Sequence, residues 1–290
     1  MRLGTRASAL ALAQAHWVAD RLGGDAEIVK VTTLGDRGVG IEDKSRWVSE
    51  LEAYLLDGRI DIAVHSAKDV PTELPDGLEL VAIPARADAR DAICGAAGLA
   101  ALAPGARVGT SSLRRAAQLR AVREDLEIVP LRGNVDTRLR KLAQGDADAL
   151  VLALAGLQRL DRAAEAGGLL DEFVPAAGQG ALALEGRTGA IASSRLAAVT
   201  DPVAMACVTA ERELVHALGA SCHTPVGAHA TQSPGGQLTI VGWVGLPDGS
   251  AWLHDEVTGE PHLVGRACAD RMLSAGAGEL LRQAELEVTA

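Results

Sequence analysis

The sequence predicts an α/β protein of two similar lobes followed by a smaller α+β domain, and three observations carry that prediction. Short Val, Ile and Leu runs alternate with helical patterns twice over in the first half of the chain, as βαβ units around a largely parallel sheet require. The two series repeat one another: LLDGRIDIAV and LAQGDADALV align Leu55 with Leu142, Gly58 with Gly145, Asp61 with Asp148 and Val64 with Val151, a constant spacing of 87. After Pro202 the pattern changes to one helix, three strand-like runs punctuated by SPGG and PDG, and a terminal helical stretch.

The elements follow in order from the local pattern. Apolar runs place strands near Arg2 to Gly4, Glu27 to Thr33 and Asp61 to His65, with helices from Ser8 to Leu22 and Arg46 to Leu56 between them. The second series has strands near Arg107 to Gly109, Glu127 to Leu131 and Ala149 to Ala153, and helices near Leu113 to Arg123 and Val135 to Gln144. RLGTRASALALAQ and RVGTSSLRRAAQ share a further frame: strand, Gly-Thr, Ser, then a helix ending in Ala-Gln. In the third region a helix from Val203 to Leu218 precedes strands Pro225 to Thr231, Gln237 to Gly245 and Ala251 to Thr258, and a helical stretch runs from His262 to Leu286. AAGQGAL lacks G-x-G-x-x-G and any G-K-S or G-K-T, so it reads as a bend between domains and not as a nucleotide loop.

Composition narrows the function classes. A chain of 290 residues has room for two domains and a third, and 48% hydrophobic with 23% charged residues is ordinary for a folded protein. Its only aromatics are Trp17, Trp47, Tyr54, Phe173, Trp243 and Trp252, too few for a base-stacking platform, and the net charge of −10 opposes a general grip on phosphate backbones. No nucleic-acid partner is expected. No apolar run approaches the roughly 18–20 residues of a membrane span, and Arg6, Gln14 and His16 interrupt the N-terminal apolar pattern. The expectation is a soluble cytoplasmic protein without a membrane partner. Cys94, Cys207, Cys222 and Cys268 form no C-x-x-C pair, which fits a reducing compartment and argues against a structural metal.

Basic residues crowd one stretch: nine between Arg107 and Lys141 stand against four acidic ones. Arg114 and Arg115 occupy the first turn of a helix opened by Thr110, Ser111 and Ser112, where backbone N–H groups and the dipole favour an anion. Guanidinium forks take carboxylates through two bonds at once. Arg132 and Arg138 share the strand-to-helix position at which open α/β sheets place ligands, whereas Arg120, Arg123 and Arg140 are expected on a solvated helix face. Thr5, Arg6 and Ser8 offer the same chemistry in the first series.

VHSAKDVP puts Lys68 and Asp69 just past an apolar strand, with Pro71 holding the exit extended. Asp69 suits stabilisation of, and proton exchange with, a developing cation; a capping Asp beside a surface Lys is the alternative. His65 reads as a packed histidine. Cys222 lies on the small-residue loop GASCHTPVG, where a thiol is available as a nucleophile, while Cys94 and Cys207 read as buried fillers. The residues alone leave the function of Cys222 open.

GTRASALALAQ, DIAVHSAKDVPTELPDGL, VGTSSLRRAAQL, LRGNVDTRLRKL, LALAGLQRL, PAAGQGALALE and the Cys222 loop come in the order and spacing of the porphobilinogen deaminase family, which the chain resembles along nearly its whole length. The resemblance implies two lobes shaped like the halves of a type II periplasmic binding protein, with the active cleft between them, and a small third domain. The corresponding boundaries are 1–86 with 180–198, 87–179, and 199–290. It also implies a dipyrromethane cofactor held by a thioether to Cys222, and porphobilinogen as the small-molecule substrate. Four porphobilinogens are joined head to tail with loss of ammonia, and the linear tetrapyrrole hydroxymethylbilane is then released by hydrolysis.

By the same resemblance Asp69 is the catalytic carboxylate, set against the cationic azafulvene that loss of ammonia leaves. Ser66, Lys68, Asp69, Thr110, Ser111, Ser112, Arg114, Arg115, Arg132 and Gly133 then hold the cofactor, and Arg6, Ser8, Lys44, Arg138, Arg159 and Gln179 the substrate. The family's lid corresponds to DRGVGIEDKSRW, shorter here than in many bacterial relatives, with Lys44 aligned to a lid lysine. A monomer is expected, with no metal. The rival is a non-enzymatic two-lobed solute-binding protein, which needs neither a third domain nor a loop thiol.

Overall fold

The computed structural model describes residues 1–32, 48–220 and 224–289. The first series forms β1 (Arg2–Arg6), α1 (Ala9–Arg21), β2 (Glu27–Val31), α2 (Ser49–Leu56), β3 (Ile62–Ser66) and β4 (Leu78–Ala82). The second forms β5 (Asp91–Cys94), β6 (Arg107–Gly109), α3 (Leu113–Val122), β7 (Glu127–Val129), α4 (Val135–Ala143), β8 (Ala149–Ala153), α5 (Leu154–Arg159) and β9 (Gly168–Leu170). The chain continues through β10 (Leu182–Arg187), α6 (Ser193–Ala197), α7 (Pro202–Ala217), β11 (Val226–Gln232), β12 (Leu238–Gly245), β13 (Trp252–Gly259), α8 (Val264–Ser274) and α9 (Ala277–Thr289). The stretch His262 to Leu286, expected as one helical run, is two helices because Gly276 adopts φ +105° between them.

Both large sheets have one topology. Their strand orders are β2-β1-β3-β10-β4 and β7-β6-β8-β5-β9. Each has three parallel strands, then an antiparallel strand, then an edge. The antiparallel strand of the first sheet, β10, comes after the whole second series, so the chain returns from the second sheet to complete the first. The repeat is chemical as well as topological. Arg2 donates from its backbone N and guanidinium to Asp61 at 2.7 and 2.9 Å, and to the Gly58 carbonyl at 2.8 Å. Arg107 does the same to Asp148 at 2.8 and 2.9 Å and to the Gly145 carbonyl at 3.0 Å. Ser8 and Ser112 both cap the helix that follows the first strand of their series.

The chain forms two compact units, Met1–Ala87 with Gly180–Ala206, and Asp88–Gln179 with Cys207–Ala290. In the first, α1 lays Ala15 and Val18 on Leu3, Ile62, Val64 and Leu184, while α2 covers the other face by packing Leu51 and Leu55 with Val31, Ala63 and Leu78. In the second, Leu119 of α3 packs with Ile93, Val108 and Val151, and Leu139 and Leu157 pack with Leu150 and Leu152. Each such fully buried Leu or Ile contributes about 1.5–3 kcal/mol relative to exposure. The third sheet, β11-β12-β13, is antiparallel and belongs to the second unit, where Trp243 meets Ala117 and Val174.

Two expectations are corrected here. Arg120, expected on a solvated face, donates to the Pro247 carbonyl at 2.7 Å in the β12–β13 turn. Arg123 donates to the Leu99 carbonyl at 2.7 Å and to Asp125. Arg120 spends its guanidinium on a carbonyl of the third sheet's turn and Arg123 on a carbonyl of its own lobe, partners distant in sequence that a single-helix reading does not include.

Candidate functional site

In the first unit β1 and β3 are adjacent and parallel, so their C-terminal ends lie side by side. Arg6 closes β1, and Ser8 turns its hydroxyl to the Ala11 N–H at 3.3 Å to start α1. The apolar run of β3 ends at Ser66, and a single tight turn, Ala67–Asp69, presents Lys68 and Asp69, both half-buried. Gln14, 3% exposed on α1, donates to the Ser66 hydroxyl at 2.9 Å and so ties α1 to the end of β3. Gln14 is a residue that sequence reasoning missed; its only signal was the repeated Ala-Gln pair, expected to end each helix but placed inside α1 and α3.

In the second unit three adjacent parallel strands, β7, β6 and β8, deliver the arginines. Thr110 to Arg115 follow β6, Arg132 and Gly133 follow β7 with Arg138 on α4, and Arg159 ends α5 after β8. The Thr110 hydroxyl accepts the Ser112 N–H at 3.2 Å, Ser112 caps α3, and Ser111 is exposed. Gly133 has φ +120°, and a Cβ there would lie 2.8 Å from Thr137, so the turn demands glycine. Arg138 donates to the Gly133 carbonyl at 2.8 Å, and Arg132 is exposed.

Arg114 and Arg115, each 5% exposed, converge on a buried partner that sequence reasoning missed, Asp91 at the start of β5. Arg115 donates twice to one carboxylate oxygen, at 2.7 and 3.0 Å, and Arg114 donates to the other at 2.8 Å. Gln179, also buried, adds an N–H at 2.8 Å. Arg114 also donates to the Val174 carbonyl and Arg115 to the Val151 carbonyl. Burial alone raises the Asp91 carboxyl, but the two guanidiniums outweigh it and hold it well below the usual carboxylate range. Two cations against one anion leave a buried positive surplus, and Arg114 Nε is buried without a hydrogen-bond partner among the described residues.

That surplus fits an anionic ligand. Burial lowers the Arg138 and Arg159 guanidiniums, Arg159 to about 10, a cost that a bound carboxylate offsets. A dipyrromethane carries several carboxylates, so the donor set suits it. Among the described cysteines, Cys94, Cys207 and Cys268 are buried, and burial pushes the Cys94 and Cys268 thiols up to about 11 and about 12, away from nucleophilic use. Cys222 and Lys44, with the segment predicted as a lid, lie outside the described residues.

Comparison with known proteins agrees along the chain. Residues 1–194 match the family model described as "Porphobilinogen deaminase, dipyromethane cofactor binding domain", and residues 205–274 match "Porphobilinogen deaminase, C-terminal domain". The porphobilinogen deaminase of Thiobacillus denitrificans is 47% identical over 299 residues, covering 97% of each chain. That of Deinococcus deserti is 48% identical over 306 residues, covering 96% of this chain and 97% of its own. Among solved structures, lipoprotein Tp32 of Treponema pallidum is similar over 68% of this chain and 87% of its own, with 12% identity and a TM-score of 0.45. Two matched domains, in the order the motifs require and with relatives nearly half identical from end to end, make this chain a member of the porphobilinogen deaminase family.

Proposed function

We propose that the chain joins four porphobilinogens head to tail on a dipyrromethane primer, releasing ammonia at each addition, and hydrolyses off hydroxymethylbilane in tetrapyrrole biosynthesis. The observation that carries this reading is the run of arginines after three adjacent strand ends of the second unit. Every pyrrole ring of the growing chain bears an acetate and a propionate, so a series of forked cations at strand ends matches a series of carboxylates. When bound, dipyrromethane supplies the pyrrole carbon on which the chain grows.

Each residue then has a task. Cys222 is the attachment point, supported by the burial of the other three thiols. Arg114, Arg115, Arg132, Thr110, Ser111, Ser112 and Gly133 line the primer's carboxylates, with Asp91 keeping the first two in place. Arg6, Ser8, Lys44, Arg138, Arg159 and Gln179 serve the incoming substrate. Asp69, with Ser66 and Lys68 beside it, balances the positive charge that departing ammonia leaves and holds pyrrole N–H groups. The protein acts as a cytoplasmic monomer in this reading, in keeping with four widely spaced cysteines.

The test is stoichiometric. Purified protein given porphobilinogen should release four ammonias for each tetrapyrrole, and the primer should stay on the protein. Porphobilinogen bound and recovered unchanged would instead support the solute-binding rival.

A further inference from the structure

On the α2 face of the first sheet three titratable side chains are buried together. Glu185 on β10 is 0% exposed, His65 on β3 6% and Glu52 on α2 9%. His65 Nε2 lies 3.0 Å from Glu185 Oε2, an ion-pair distance. Yet His65 Nε2 and both Glu185 oxygens have no hydrogen-bond partner among the described residues. Burial raises the Glu52 carboxyl, Glu185 adds to that rise and His65 opposes it. A buried ion pair adds little net stability over apolar side chains of the same volume; its best-attested use is to fix register.

Register is what β10 needs. It joins the sheet more than a hundred residues after β3, pairing Leu182 with Ser66, Ala183 with His65 and Glu185 with Ala63. A one-residue slip would turn Leu182 and Leu184 to the wrong face, but a two-residue slip keeps every side chain on its own face. On its other side, against β4, the pairing of β10 is irregular between Leu184 and Glu185. Apolar alternation therefore leaves a two-residue slip open, and the diagonal contact of Glu185 with His65 opposes the one that would carry Glu185 from Ala63 to Asp61, away from the histidine. The consequence reaches the site, because the Ala67 N–H that opens the Lys68–Asp69 turn is held by the Ala181 carbonyl at 3.0 Å, one residue before β10.

We propose that Glu185, acting through His65, is a positioning residue that fixes β10 against β3 and thereby aims the Ser66–Asp69 turn. The proposal rests on the reading of Asp69 as the catalytic carboxylate. Its test compares Glu185→Gln, His65→Gln and the double variant, with cofactor content by intact mass, porphobilinogen kinetics and amide exchange at residues 62–69. The expected result is a fall in kcat of about tenfold in either single variant, with KM and cofactor content within about twofold of the parent, as for a small misplacement of a reacting group. Exchange at the Ala67 amide should quicken in both. The double variant should be no slower than the worse single one, since both act through one contact. Unchanged kcat and exchange in the singles, or losses that multiply in the double, would overturn the proposal. Should Glu185→Gln fail to fold, His65→Gln carries the same kinetic and exchange criteria from the other strand. Asp69→Asn is the control: if it alone keeps full turnover, the functional reading fails and not the register argument.

Discussion

Two guanidiniums and an amide converge on Asp91, so removing its charge strands two buried cations. Asp91→Asn should destabilise the protein by about 3–5 kcal/mol at pH 7, the usual loss when one partner of a buried pair is removed. The Asp91 carboxyl is depressed in the folded state, so its contribution is present above the unfolded range near about pH 4 and is lost as pH falls through the folded value. Urea melts between pH 7 and pH 3 should therefore show a flatter acid limb in the variant; an unchanged limb would remove Asp91 from the acid response. Arg114 and Arg132 separate on the same logic. Arg114→Leu should lower both stability and cofactor loading, because Asp91 loses a partner, whereas exposed Arg132→Leu should weaken loading or elongation with little change in the melt. Asp69→Asn should load and bind normally yet turn over at least about 100-fold more slowly, the scale of a lost electrostatic or acid–base group. Near-parental turnover would reduce Asp69 to a strand-end cap.

At the scale of elements, the local pieces were legible because their causes are local. β6 and β8 fall where the apolar runs place them, Ser8 and Ser112 mark helix starts, and the Gly58/Gly145 and Asp61/Asp148 repeat returns as two equivalent arginine–aspartate contacts. What escaped has distant causes. β5 and β10 sit inside sheets whose other strands lie far away in sequence, and DAIC is too short to announce a strand that places Asp91 under α3. Arg120 likewise depends on the third domain, not on its own helix. Arg120→Leu should cost about 1–2 kcal/mol through its lost bond to Pro247, while Arg140→Leu on the exposed side of α4 should leave the melt unchanged. Equal melts for the two would mean that the α3 contact with the β12–β13 turn adds nothing.

Over the whole molecule the charges oppose one another: the chain carries −10, yet the proposed site gathers arginines at strand ends to take carboxylates. Salt screens attraction at these partly exposed sites more than it affects buried pairs, so KM for porphobilinogen should rise with ionic strength while the melting temperature changes little. A KM flat in salt would shift recognition from charge to shape. The proposed function divides the work between the two matched segments, with the arginines in that matched at 1–194 and Cys222 in that matched at 205–274. The most direct test of that division is the intact mass of the purified protein beside Cys222→Ser. The parent should exceed its chain mass by two porphobilinogens less two ammonias, with the adduct on the Cys222 peptide, and the folded variant should carry no such excess. A parent at bare chain mass after exposure to porphobilinogen, or a variant with the full adduct, would contradict the account.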